Sequence, residues 1–134
     1  MRKLELIIEK NKDGKIWGRT KYEGNLIVEE GNSMEAVKKK MKKLLKDFHD
    51  LEINDIDFTI VYDLTVLFEQ KSFLNISAIA KMANMNSSLL RQYASGIKFP
   101  SSDKAILIQT VIRDIGKELM NINLATKSRE GNIS

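Results

Sequence analysis

Ser87, Ser88, Arg91, Gln92 and Ser95 are the residues of this chain whose types and spacing best suit chemistry, and that chemistry is the reading of base edges. Arginine can pair with guanine through two hydrogen bonds in the major groove, and glutamine can do the same with adenine. The serines are short enough to reach bases or phosphates near the start of a helix. On a helix that turns Leu90 and Tyr93 inward, these five side chains face outward and no carboxylate stands among them. Base contacts are therefore expected from Ser87, Ser88, Arg91 and Gln92. Ser77, Lys81, Asn86, Ser95 and Lys98 are the candidates for contacts to the DNA backbone.

The segment that must position this set runs from Asn75 to Pro100, NISAIAKMANMNSSLLRQYASGIKFP, and its pattern is that of a helix-turn-helix. Ile79 and Ala83 share one face of a first helix, Met85 plugs the turn, and Leu90 and Tyr93 share one face of a second. Ala80 is small where the second helix passes close over the first. Asn84 falls in the turn, where a left-handed backbone is expected and Asn tolerates it. Asn86 or Ser87 can cap the second helix, and Gly96 ends it.

Charge points the same way. From Glu69 to Asp103 there is no intervening acid, while Lys81, Arg91 and Lys98 are all positive. Residues 1–72 carry 14 Lys/Arg and 14 Asp/Glu, and residues 73–134 carry 8 and 4, so the formal +4 of the chain resides in the second half. Phosphate attracts cations and repels carboxylates, which makes an acid-free basic window the footprint of a nucleic-acid surface.

A long helix follows. Pro100 breaks the chain, Ser101 or Ser102 caps, and Ile108, Val111 or Ile112, Ile115 and Leu119 form a stripe to about Asn121. Core within the domain is the plain reading of that stripe. The sharper one makes Val111, Ile115 and Leu119 the seam of a homodimer or higher homo-oligomer, since helix-turn-helix proteins usually read two half-sites. Residues 123–134 are polar and expected to form a disordered tail.

The first half reads as strands followed by a helix. Leu4, Leu6 and Ile8 alternate with charged Glu5 and Glu9, the period of a half-buried strand. Asp13-Gly14 signals a hairpin, Ile16 to Tyr22 a second strand, Glu23-Gly24-Asn25 a turn, and Leu26 to Val28 a third. Ser33 is an N-cap for a helix running to about Asp50, with Val37, Met41, Leu44 and Phe48 as its apolar stripe. Phe58 to Tyr62 makes a fourth strand, Asp63 caps a short helix through Phe68, and Lys71-Ser72 is the expected joint.

Catalysis is a weak reading of this half. A magnesium-dependent nuclease needs several converging carboxylates, for which Glu5, Glu35 and Asp57 or Asp63 are the nearest candidates. Glu35 is accounted for by the helix dipole alone. His49 follows core-facing Phe48 and is expected on the surface. Trp17 and Tyr22 are expected to pack in the sheet rather than stack on bases, and the basic run Lys38 to Lys46 reads as the wet face of its helix. With no cysteine, disulfides, thiolate zinc sites and a cysteine nucleophile are excluded. The first strand starts almost at Met1 and no apolar run approaches membrane length, so a soluble cytoplasmic protein without membrane contact is expected.

The order β-β-β-α-β followed by a helix-turn-helix resembles the HicB-like antitoxins of HicA–HicB toxin–antitoxin pairs. Gly31-Asn32-Ser33-Met34-Glu35-Ala36-Val37 looks like the family's G-[DN]-[ST]-x-E-A stretch. Asn75 to Leu119, with Leu89-Leu90-Arg91-Gln92-Tyr93-Ala94-Ser95-Gly96 and Gly116-Lys117-Glu118-Leu119 inside it, looks like that family's DNA-binding half, and is similar to Xre/Cro repressors generally. The family's common Pro-Asp-Leu-Pro-Gly stretch is replaced by Tyr22-Glu23-Gly24-Asn25. The resemblance implies an α+β fold, with a degenerate ribonuclease-H-like, partner-binding domain at 1–70 and an all-α DNA-binding domain at 73–122. It implies an antitoxin, not an enzyme, that uses no cofactor or metal, neutralises a small HicA-type ribonuclease toxin and represses its own operon by holding duplex operator DNA. The alternative is a free-standing Xre/Cro-type repressor whose N-terminal domain senses another protein or a small ligand.

Overall fold

A computed structural model describes residues 1–127, and the fold is α+β, a four-stranded mixed sheet with five α-helices. The alternation around Leu6 and Ile8 forms β1 (Arg2–Lys10), with those two side chains fully buried on one face. β2 (Ile16–Tyr22) returns antiparallel with Ile8 opposite Gly18, and β3 (Asn25–Gly31) returns again with Thr20 opposite Ile27. Between β2 and β3, Glu23 and Gly24 both take positive φ (51° and 79°), the two-residue turn whose twist suits a hairpin. Ser33 caps α1 (Met34–His49), its Oγ accepting from the Ala36 N–H. After α1, a single 3-10 turn at Ile53–Asp55 leads into β4 (Ile56–Tyr62), which lies parallel to β1 with Leu6 opposite Ile60. The sheet order is β3-β2-β1-β4.

α1 seats on one face of the sheet through Met34, Val37, Met41 and Leu45. Gly18 makes that seat possible, since a Cβ there would stand 2.5 Å from Val37 Cγ1. The expected stripe is corrected at its end. Leu45 rather than Leu44 is fully buried, and Phe48 points outward at 76% exposure. Steps of four residues from Val37 through Met41 and Leu45 lead to His49, which is half-buried and meets Tyr22 edge-on at 5.3 Å between ring centroids. Thr20, also under α1, has a buried hydroxyl with no hydrogen-bond partner among the described residues.

α2 (Leu64–Gln70) is capped by Asp63, whose Oδ1 accepts from the Thr65 N–H. It belongs to both halves: Val66 joins the sheet core, while Phe68, with Leu64 beside it, joins a second core. That second core is built by α3 (Ile76–Met82), α4 (Ser87–Ala94) and α5 (Ser102–Met120), around Ile79, Leu90 and Ile108. Asn75, Asn86 and Ser101 cap the three helices, each accepting from a backbone N–H in the first turn.

Candidate nucleic-acid interface

The turn between α3 and α4 is four residues long and made by chemistry the sequence carries. Asn84 takes φ 53°, the Met85 N–H donates to the Ala80 carbonyl at 2.9 Å, and Asn86 begins the next helix. Ile79, Ala80, Ala83, Leu90 and Tyr93 are buried between the helices and Leu89 and Ala94 pack against the same core, which leaves Ser87, Ser88, Arg91 and Gln92 at the surface of α4. Gly96, at φ 81°, turns the chain away, and the N–H groups of Ile97 and Lys98 fold back onto the Gln92 carbonyl.

Of the expected base readers, Ser88 and Arg91 are exposed, and Ser87 and Gln92 are half-buried at the helix surface. Arg91 is not free in solution. Its guanidinium donates to Ser77 Oγ at 2.6 Å and to Ser87 Oγ at 3.3 Å, tying the start of α3 to the first turn of α4. Ser77, Lys81, Asn86 and Ser87 line one groove along the turn, so the structure brings these four expected contacts together. Ser95 lies on the other flank with Arg91, and Lys98 on the loop beyond α4. Neither Lys81, Arg91 nor Lys98 forms an ion pair among the described residues, leaving all three charges available to an anion.

The sequence reading missed one neighbour. Glu69 and Lys10 line the same groove as Arg91 and Ser95, which would place a carboxylate at the rim of the basic surface. Lys10 Nζ meets Glu69 Oε2 at 2.7 Å and neutralises it. No local signal links residues so far apart in the chain; the parallel placement of β1 beside β4, from which α2 continues, brings them together.

The expected dimer seam does not survive as a unit. Val111 is buried and Ile115 half-buried in the chain's own second core, because α5 is the helix that covers α3. Only Leu119 of the three is exposed, at 57%. The tail expected at 123–134 is described to Lys127, and those residues are exposed; 128–134 fall outside the described residues.

The carboxylates weighed for metal chemistry are dispersed. Glu5 and Asp57 lie on the sheet face turned away from α1, Glu35 opens α1, and Asp63 is engaged as the cap of α2. Among the described residues no group of three or more His, Asp or Glu could hold a metal ion. The lysine run of α1 lies mostly on its exposed face, partly paired: Lys38 meets Glu35, Lys43 meets Asp47, Lys40 donates to the Glu30 carbonyl, and Lys42 lies over the Phe58 ring.

The open face of the sheet is a second candidate surface. Trp17 and Tyr22 are five residues apart on β2 and so face opposite ways: Tyr22 is buried under α1, and Trp17 is on the open face. There Trp17, Ile7, Leu26 and Val28 line a groove of about 390 Å³ with Arg19 and Glu9, which pair at 3.0 Å. No helix among the described residues is long and apolar enough to cross a membrane. No family model, curated protein or solved structure matches the chain.

Proposed function

We propose that this protein is a DNA-binding antitoxin, which represses its own promoter through α3, its turn and α4 and neutralises a small ribonuclease toxin through its sheet. The observation that carries the reading is the outward surface of α3 and α4. It presents Ser77, Lys81, Ser87, Ser88, Arg91 and Gln92 without an unpaired acid, on two helices crossed through a tight asparagine turn. Glu69, which lines the same groove as Arg91 and Ser95, is already held by Lys10.

The open sheet face supports the second role. Ile7, Trp17, Leu26, Val28 and Val61 put apolar area on a rigid surface, next to the acids Glu5 and Asp57, with Glu9 paired to Arg19 and with Lys3 and Lys21 on the same face. A ribonuclease must bind RNA and is expected to be basic, so it would meet that face rather than the lysine-rich side of α1. The resemblance to HicB-like antitoxins names the partner as HicA-like, and the order β3-β2-β1-β4 with a parallel β4 suits a ribonuclease-H-like half. In this reading residues 1–70 carry no catalysis, and magnesium or manganese with the purified protein leaves RNA intact.

The test is co-purification of the full chain with the product of the neighbouring reading frame, beside gel shifts on the DNA upstream. Trp17→Lys should abolish the complex and leave DNA binding intact, whereas Arg91→Ala should do the reverse. A complex insensitive to Trp17 and lost with Arg91 would exchange the roles of the two surfaces. A protein that shifts no DNA at low salt would end the repressor reading.

A further inference from the structure

The sheet has two edge strands, and they are not alike. β3 is protected: it carries the consecutive acids Glu29 and Glu30, and Lys40 Nζ from α1 already occupies the Glu30 carbonyl at 2.9 Å. β4 has none of this. Its sequence Ile56-Asp57-Phe58-Thr59-Ile60-Val61-Tyr62 contains one charge and no Pro or Gly. All seven residues pair with β1 on one side, and nothing among the described residues pairs with the other. α1 packs mainly over β3 and β2, so Phe58, Ile60 and Tyr62 on the helix side of β4 are only half-buried, and Val61 on the other side is 40% exposed.

We propose that the free edge of β4 pairs antiparallel with β4 of a second copy, joining two sheets into one of eight strands about a two-fold axis at Thr59. The strand is complementary to itself in that register. Residue 56 falls opposite 62, 57 opposite 61, 58 opposite 60, and Thr59 opposite its own equivalent. Ile56–Tyr62 and Phe58–Ile60 then meet on the helix side, β-branched and aromatic pairs that favour sheet formation, and Thr59–Thr59 meets on the open side. Asp57 faces Val61, so no like charges are opposed. Centring the pair on Ile60 instead would set Asp57 against Asp63, and centring it on Phe58 would leave Val61 and Tyr62 without strand partners. Such a pairing is isologous and closes as a dimer. It supplies a two-fold symmetry without using the buried Val111 of α5, and it stands whether or not the chain binds DNA.

Sedimentation velocity on the full chain tests it. The wild type should be a dimer at micromolar concentration. Thr59→Lys sets two lysines against each other at the axis and should give a monomer, while Glu5 beside it on β1 keeps the substitution compatible with the fold. Val61→Lys sets each lysine against the other copy's Asp57 and should keep the dimer. Since the chain has no cysteine, Thr59→Cys should cross-link to a covalent dimer on oxidation, and Asp57→Cys should not. A monomeric wild type, a dimer unaffected by Thr59→Lys, or cross-linking through position 57 but not 59 would overturn the proposal.

Discussion

Replacing Arg91 with Ala separates a base reader from a phosphate contact. The side chain is exposed, so its loss should change folding stability by less than about 0.5 kcal/mol. A bidentate contact to guanine is worth about 1–3 kcal/mol of discrimination. Arg91 must first leave Ser77, 2.6 Å away, and Ser87, 3.3 Å away. Breaking such exposed hydrogen bonds costs about 1 kcal/mol net. The difference leaves about 0–2 kcal/mol, whose midpoint of about 1 kcal/mol is roughly a five-fold rise in Kd. Fluorescence anisotropy on the DNA upstream of the gene, and on its single base-pair variants, measures both affinity and preference. Arg91→Ala should weaken binding to the natural sequence by that factor and become indifferent at one base pair while discriminating as before elsewhere. Equal weakening on every sequence would make Arg91 a phosphate contact, and unchanged binding would remove it from the interface.

Lys81→Gln and Lys98→Gln should each weaken binding to all sequences alike and make the plot of log affinity against log salt shallower by about one unit; a wild-type slope returns that lysine to ordinary surface. Thr20→Val removes a buried hydroxyl that has no hydrogen-bond partner among the described residues and should raise stability by about 1 kcal/mol, seen as a higher urea midpoint with unchanged slope. Gly18→Ala would put a methyl 2.5 Å from Val37 Cγ1 and 3.2 Å from Leu6 Cδ1, and should cost about 1–3 kcal/mol in the same titration. A variant as stable as wild type would mean that α1 is not held at its seat on β2.

Local chemistry was legible in the sequence wherever a backbone group needs a specific side chain. Ser33 and Asp63 accept from first-turn N–H groups as expected, Asn86 rather than Ser87 and Ser101 rather than Ser102 do the same, and Asn84 takes the left-handed backbone expected of it, whereas the Asn75 cap of α3 was not singled out. What stayed hidden was the choice among apolar residues that sit side by side. Leu44 and Leu45 are adjacent, and only the angle at which α1 crosses the sheet decides that Leu45 goes in. Val111 and Ile112 pose the same problem on α5, where no local rule says whether a stripe covers its own domain or another copy. The outward Arg91 was legible as well, but its hold on Ser77 depends on how two helices cross and leaves no trace in spacing.

α2 carries a consequence for how the chain can be divided. Val66 and Phe68, two residues apart, go into different cores, and Thr65 Oγ1 donates to the Tyr93 carbonyl at 3.3 Å. The hinge suggested by Lys71-Ser72 is therefore a turn in sequence but not a seam in the solid. A protease cut there would strip Leu64 and Phe68 from beneath α4, exposing apolar surface on the very unit meant to be released. Melting should run as a single transition, with neither half outliving the other. Displacement of the sheet would be felt at Tyr93, within one turn of Arg91 and Gln92 on α4, because the two halves share one keystone.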